Sequence, residues 1–239
     1  MVRGFITIVS AAVLAAVIEA KPKEVTLASI PAVFEPNLGQ ARNDVLYLTR
    51  GPHGALYLRE DAVVVQIPRS EETIEIAPRK TSSRPRVEGL GLQTGVSNYL
   101  RGEDESKWIR GVPHYSRVRY EGAFPGIDIV FYGTQSELEF DVVLRPHAAV
   151  EHVRFQVRGA RKVRRNRDGS LSLQTARGEL RLGRPFAYQP AVEGQRRVEC
   201  SFLVQRDGGF GFRVGDYDRN QPLIIDPTLV TTYIGGNDV

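Results

Sequence analysis

Apolar and polar residues alternate with a period of two along most of the chain. Such alternation is typical of β-strands that bury one face against a core. It predicts strands at 45–50, 55–59, 62–67, 73–77, 115–120, 127–132, 137–144, 153–157, 161–165, 171–175, 179–182, 197–205 and 210–214. Because no segment after residue 20 keeps a helical apolar period for more than two turns, we expect an all-β protein made of antiparallel, β-sandwich-like sheets.

The first twenty residues follow a different pattern, which predicts a signal peptide over 1–20, formed as a signal helix. Arg3 precedes an uncharged run of 14 residues, 5–18, and Ala20 stands where a signal peptidase would cut. A bilayer span needs about 20 apolar residues, so the run is too short for a permanent anchor. An uncleaved anchor and a buried helix are the alternatives. We therefore expect a secreted or cell-surface location, or the periplasm, without a stable membrane anchor after cleavage.

A change of composition at 78–88 predicts a linker or a long loop. Its first part contains two prolines and no large apolar residue before Val87. The linker would separate an N-terminal β-sheet region at 21–77 from a main β-sandwich-like domain at 89–230. The alternative is an exposed hairpin tip within a single sandwich.

The overall composition is that of a globular protein. The chain has 239 residues, 41% hydrophobic and 25% charged, with a formal net charge of +4. These values exclude a collagenous chain, a disordered chain and a polytopic membrane protein. The single cysteine, Cys200, cannot form a disulfide within the chain. Its place in an alternating run favours a small buried side chain over a reactive thiol or an intermolecular bridge.

Acidic residues alternate with apolar ones at Glu137, Glu139 and Asp141, so the three carboxylates share one strand face. Residues two apart on a strand lie about 6.5–7 Å apart at Cα, which is compatible with the carboxylate spacing of glycosidases. Any half-solvated strand with acidic outer positions shows the same spacing. We therefore interpret the residues as a polar face, with catalysis by Glu139 and Asp141 as the alternative.

The segment 216–220 begins like an EF-hand calcium loop. The sixth position is Gln221 instead of glycine, and the twelfth is Pro227 instead of glutamate, so an EF-hand is excluded. A calcium site of another kind and an Asx-type turn stay open at Asp216 and Asp218. The four histidines have no zinc-binding spacing. We predict no cofactor and no metal site.

A run of cations lies in the second half of the chain. We interpret it as a solvated hairpin edge whose charges discourage edge-to-edge pairing. Anionic surface polymers or lipid head groups are the functional alternative, and export argues against a nucleic-acid partner. The run consists of Arg158, Arg161, Lys162, Arg164, Arg165 and Arg167.

Several short motifs in one fixed order resemble a known family. They lie at 34–40, 98–102, 107–108, 112–115, 120–133, 138–143, 185–189, 217–218 and 222–227. The order resembles the N-terminal domain, of unknown function, of bacterial surface proteins that carry SBBP (seven-bladed β-propeller) repeats. The resemblance covers about 34–236. Within it, Asp226 before Pro227 is interpreted as an acceptor in a turn.

The residues 231–236 resemble the start of the first propeller repeat, so 231–239 is interpreted as the beginning of a truncated repeat. The missing repeat would leave an exposed apolar edge strand at about 228–234. The resemblance implies a non-enzymatic surface module that caps or presents a β-propeller, in adhesion or surface assembly. The expected partner is then a β-propeller or another surface protein.

Three aromatic residues suggest a second function. Tyr99, Trp108 and Tyr115 are candidates for a sugar-stacking platform, although large aromatics more often pack in a core. In a polysaccharide-binding domain they would act with Glu139 and Asp141, and the partner would be a cell-surface polysaccharide. A glycoside hydrolase-like enzyme is the third hypothesis.

Overall fold

The structure, a computed structural model, describes residues 33–51, 54–67, 70–79, 84–133 and 138–233. The predicted signal helix lies outside the described residues. Within them, no helix has the length and apolar character that crossing a membrane requires. The two short 3-10 turns are Glu105–Lys107 and Val150–His152.

Antiparallel strands make up most of the described chain, which confirms the predicted all-β fold class. They are β1 Glu35–Pro36, β2 Val45–Gly51, β3 Gly54–Arg59, β4 Val63–Gln66, β5 Thr73–Pro78, β6 Arg86–Tyr99, β7 Ile109–Phe124, β8 Ile127–Gly133, β9 Leu138–Leu144, β10 Arg154–Arg158, β11 Lys162–Arg165, β12 Leu171–Gln174, β13 Gly178–Leu182, β14 Phe186–Ala191, β15 Gly194–Val198, β16 Cys200–Val204, β17 Phe210–Val214, β18 Leu223–Asp226 and β19 Thr228–Tyr233.

The strands form two sheets. The smaller sheet has the order β1-β2-β3-β4-β5-β10-β17-β16, so the first five strands share a sheet with three later ones. The larger sheet runs β6-β7-β8-β9 and then forks. Both β18 and β19 pair with one edge of β9; β18 continues to β14 and β15, and β19 continues to β13, β12 and β11. The predicted linker leads from β5 in the smaller sheet to β6 in the larger one.

The core lies between the two sheets and is rich in phenylalanine. Phe140 of β9 lies 6.5 Å, centroid to centroid, from Phe155 of β10, across the space between the sheets. Phe155 also stacks on Phe210 at 4.9 Å. Burial of each such ring contributes about 1.5–3 kcal/mol. Because side chains alternate along β9, a buried Phe140 places Glu139 and Asp141 on the outer face.

The prediction of one strand at 197–205 is wrong in detail. Glu199 lies between β15, which belongs to the larger sheet, and β16, which belongs to the smaller one. Val198 and Phe202 are both buried in the common core. The apolar alternation therefore continues through the point where the chain crosses between sheets.

The structure corrects the expected exposed edge at 228–234 only at its start. Residues 229–233 pair with β13 on one side, and residues 228–229 pair with β9 on the other. Leu229 therefore has ladder partners on both sides, whereas β13 is the strand that pairs with 230–233 within the described residues. Residue 234 lies outside the described residues.

Candidate functional site

The outer face of the larger sheet brings acids and aromatic rings together. Val142 pairs with Ile225, and Glu139 pairs with Thr228. This register places Asp226 directly opposite Asp141 on the neighbouring strand. Like charges in such a position destabilise a sheet. Asp226 therefore ends a strand beside another acid, and the prediction that it acts in a turn is wrong.

Burial and mutual repulsion change the titration of these carboxyl groups. Burial, with smaller contributions from the charges of Asp141 and Glu139, raises the pKa of Asp226 to about 6. Burial also raises the pKa of Asp141, while the Tyr132 hydroxyl, which donates to its Oδ1 at 3.1 Å, opposes that shift. Burial is likewise the main cause of the raised pKa values of Tyr132 and Tyr188.

Aromatic rings and guanidinium groups surround the carboxylates. Tyr188 lies 5.7 Å from Phe186, and the guanidinium of Arg197 lies 5.0 Å from the Phe186 ring centre. We name the surface formed by Tyr132, Glu139, Asp141, Tyr188 and Asp226 the outer acidic face. Its carboxylates accept hydrogen bonds and its rings stack, which is the chemistry that a polyhydroxylated ligand requires.

Tyr99 belongs to a different group of side chains. Its hydroxyl donates to Glu35 Oε2, and Ser97 Oγ donates to Glu35 Oε1 at 2.5 Å. His114 Nε2 lies 2.7 Å from Ser97 Oγ, and Arg50 Nη1 donates to the Tyr99 hydroxyl at 3.1 Å. We name these five residues the Glu35 cluster. They join β1 and β2 to the β6–β7 hairpin.

The Glu35 cluster contains a serine, a histidine and an acid, but its hydrogen bonds are not those of a catalytic triad. A hydroxyl has one hydrogen. Ser97 donates this hydrogen to Glu35, so its Oγ must accept a hydrogen bond from the protonated Nε2 of His114. A protonated Nε2 cannot act as the base for the Ser97 hydroxyl. Glu35 lies 3.5 Å from the same nitrogen, whereas a triad acid binds the other one. The arrangement is therefore a closed polar network.

The structure does not bring the three predicted aromatic residues together. Tyr99 pairs with Ile109, whereas Tyr115 lies six residues further along β7, which corresponds to about 20 Å. The ring of Tyr115 covers β6 at Gly89, where a Cβ atom would lie 2.7 Å from the ring. It also packs edge-on against Tyr47 at 6.0 Å.

Trp108 follows the first 3-10 turn and is half-buried. Its Nε1 donates to the Gly102 carbonyl at 3.0 Å, and the guanidinium of Arg110 lies 4.9 Å from the ring centre. The guanidinium of Arg101 lies 5.8 Å from the Tyr99 ring centre. Both rings thus already contact a cation, which a stacking sugar would have to displace.

Asp218, one of the two aspartates considered for a calcium site, forms the alternative structure, an Asx-type turn. Asp218 Oδ1 accepts the backbone N–H of Asn220 at 2.9 Å and its side-chain amide at 3.0 Å. Across the described ranges, no group of three or more histidine, cysteine, aspartate or glutamate residues has a geometry that would hold a metal ion.

Sequence reasoning did not find the partners of the predicted residues. Tyr132 and Tyr188 lie in alternating strands that look like any half-buried strand. Ser97 and His114 meet through the pairing of β6 with β7, and Glu35 reaches them through the pairing of Phe34 with Tyr115. No local spacing in the chain signals that long-range contact.

Comparisons with known proteins give one match. A family model described as a domain of unknown function, DUF7948, matches residues 34–228. No curated protein and no solved structure matches the chain.

Proposed function

The chain belongs to the DUF7948 family, a domain of unknown function, and we propose that it is a non-enzymatic, secreted or cell-surface β-rich module. In this proposal the module caps or presents a β-propeller with SBBP repeats, in adhesion or surface assembly. The resemblance of 231–236 to the start of a propeller repeat motivates the choice of partner. The all-β, antiparallel fold is compatible with it.

The position of β19 is the observation that supports the presenting role. Thr231 pairs with Leu180 and Tyr233 pairs with Gly178, so half of the repeat-like segment is part of the larger sheet. The ladder of 229–233 with β13 ties this segment to the sheet along one side. A propeller joined to this strand would therefore have a fixed orientation relative to the module.

The first test is to sequence the genomic DNA for several kilobases beyond the Val239 codon. The proposal expects SBBP-like repeats there, in frame or after a frameshift. Unrelated sequence would count against it. If repeats are found, the repeat region is produced separately and titrated with the full chain by calorimetry, and a saturable complex is expected. If the titration releases no binding heat and the repeat region does not co-elute with the full chain, presentation by direct contact is contradicted.

The outer acidic face supports a second proposal, binding of a neutral cell-surface polysaccharide. Three carboxylates beside two tyrosine rings offer hydrogen-bond acceptors and stacking surfaces on one sheet face. The face differs from the predicted Tyr99, Trp108 and Tyr115 platform in position. The two locations can therefore be distinguished by substitution.

The test titrates purified cell-wall glycans into the wild-type chain and three variants. Tyr188→Ala should weaken binding about tenfold or more, since stacking contributes up to about 1.5 kcal/mol beyond buried area. Tyr57→Ala, on the outer face of the smaller sheet, is the matched control and should bind normally. A loss with Trp108→Ala and none with Tyr188→Ala would move the site to the β6–β7 end. Release of reducing sugars by the wild type would contradict the non-enzymatic proposal.

A further inference from the structure

The edges of the two sheets meet at a polar cavity that neither proposal uses. β11 ends one branch of the larger sheet and β16 ends the smaller one. Between them lies a cavity of about 280 Å³, which we name the β11/β16 groove. The turn 166–169 of the β11–β12 hairpin forms one wall, and Cys200 and Ser201 of β16 form the other.

Three arginines line the groove, and all three are exposed: Arg165, Arg167 and Arg184. Counting only contacts within the described part of the chain, no carboxylate lies within 4.0 Å of any of them, whereas the nearby Arg158 and Arg181 each have one. The three positive charges are therefore not neutralised by the fold. Cations brought together without partners attract an anionic ligand.

The one carboxylate in the groove wall is already occupied. Asp168 Oδ1 accepts the Ser170 hydroxyl at 2.6 Å and the Ser170 backbone N–H at 3.0 Å, and Oδ2 binds Arg181. The hydrogen bonds from Ser170 hold the pKa of Asp168 below its usual range. Since Arg181 offsets the charge of Asp168, the groove keeps the excess charge of its three arginines.

The remaining lining groups are neutral and held in place. Burial raises the pKa of the Cys200 thiol to about 12, so it carries no charge at neutral pH. Asn166 Nδ2 donates to Ser172 Oγ at 2.7 Å, which fixes the turn. The stem of Arg184 packs against Gly169, where a Cβ atom would lie 3.1 Å from Cγ of Arg184. This contact keeps Arg184 over the turn.

Alternation along β11 distinguishes the groove arginine from its neighbours. Val163 packs against the core, so Arg165, two residues later, shares its inward side. Lys162 and Arg164 lie on the opposite side, towards solvent. Arg165 is exposed like Lys162 and Arg164, and it differs from them in that it lines the groove.

We propose that the β11/β16 groove binds a phosphate or sulfate group. Guanidinium groups bind such tetrahedral oxyanions through paired, charge-assisted hydrogen bonds, and several arginines around one cavity are suited to this. The volume is just below the roughly 300–1,000 Å³ of sites for drug-sized ligands, so it fits one anionic group with a small part of its carrier. This inference is independent of propeller presentation and of the outer acidic face.

The test titrates inorganic phosphate and sulfate at constant ionic strength, with chloride as the control anion. Saturable binding of phosphate or sulfate is expected, and Arg184→Gln and Arg167→Gln should each weaken it about tenfold, the loss of one charge-assisted pair. Arg164→Gln removes the same charge from the outer side of β11 and should leave binding within about twofold. Thermal unfolding checks that all variants fold.

A second readout is the phosphorus NMR signal of inorganic phosphate. The wild-type chain should broaden this signal, and Arg184→Gln should abolish the broadening. The proposal is overturned if chloride binds as well as phosphate and sulfate, or if Arg164→Gln weakens binding as much as Arg184→Gln does. Either result would indicate general charge attraction. Absence of binding by phosphate and by sulfate would overturn it as well.

Two further arms identify the source of the group. Co-sedimentation with phosphatidic acid vesicles, but not with phosphatidylcholine vesicles, that is lost in Arg184→Gln would assign a lipid head group. Binding of a soluble sulfated polysaccharide with the same sensitivity would assign a glycan ester. Vesicle or polysaccharide binding that Arg184→Gln leaves unchanged would exclude that source for the groove.

Discussion

The Glu35 cluster and the outer acidic face both place half-buried carboxylates beside tyrosine hydroxyls on neighbouring strands. In the cluster, both Glu35 oxygens accept a hydroxyl proton, and Arg50 contacts Tyr99. On the outer face, Asp141 faces Asp226 across the strand pair, and burial raises the pKa of both. The first arrangement satisfies its charge with short hydrogen bonds. In the second, no ion pair forms with these carboxylates among the described residues, and Arg117 only partly offsets the raised pKa of Asp141.

This difference separates structural polar groups from candidate binding groups. A satisfied buried network stabilises one packing and has no capacity left for a ligand. Uncompensated carboxylates reduce the stability of the fold and keep free acceptor positions. The β11/β16 groove shows the same property with the opposite sign, since its arginines lack carboxylate partners within the described residues. Uncompensated charge, and not charge alone, marks the candidate sites.

The largest expected effect is that of Glu35→Ala. It leaves the hydroxyls of Ser97 and Tyr99 without their acceptor, and we expect a loss of about 2–3 kcal/mol in the free energy of unfolding. Asp141→Ala should cost less than about 1 kcal/mol, because removing one of two opposed acids also relieves repulsion. Urea unfolding at pH 7 measures both. Equal losses would remove the distinction between the two regions.

A smaller effect is expected in the pH dependence of stability. Asp226 titrates near 6 in the folded chain, above its ordinary value of 3.8. Between these values the folded state binds more protons than the unfolded state, so this group lowers stability as pH rises from about 4 to about 6. With solvent screening at this half-buried site, we expect about 1 kcal/mol.

Asp226→Asn removes this titration and serves as the reference. The stability of the wild type relative to the variant should fall through that pH window and then stay constant up to pH 8. Unfolding curves at intervals of half a pH unit measure the difference. A difference that rises with pH would mean that Asp226 has a cationic partner and that the outer acidic face is compensated like the Glu35 cluster.

Strand content was predictable for most strands that bury one face, although β14 and β18, which also do so, were not predicted. The alternation at 127–132 and 210–214 corresponds closely to β8 and β17, because Phe131 and Phe210 point into the core. The strand β6 was missed, since Leu92 and Val96 remain exposed and three glycines interrupt the pattern. An exposed ribbon carries no burial signal for sequence analysis to detect.

The candidate sites were less predictable, because strand register decides them. Sequence alternation placed Glu139 and Asp141 on one face, which the structure confirms. It did not indicate that Asp226 lies opposite Asp141, or that Arg184 reaches the β11–β12 turn. The first fact depends on the pairing of β18 with β9, which are distant in sequence, and the second on the register of the consecutive strands β12 and β13. A shift by one residue would exchange the two faces.

The smallest expected difference between the two regions, about 0.5–1 kcal/mol, comes from removing one hydroxyl in each. Tyr132→Phe deletes a single donor to Asp141, so the pKa of Asp141 should rise further while stability changes by about 0.5–1 kcal/mol. Tyr99→Phe deletes a donor to Glu35 that is also an acceptor for Arg50, and should cost about 1–2 kcal/mol. Carboxyl-carbon NMR titration and urea unfolding measure the pair. If Tyr132→Phe costs as much as Tyr99→Phe, the Asp141 carboxylate depends on this donor as Glu35 does, and the outer acidic face is a closed network without free capacity for a ligand.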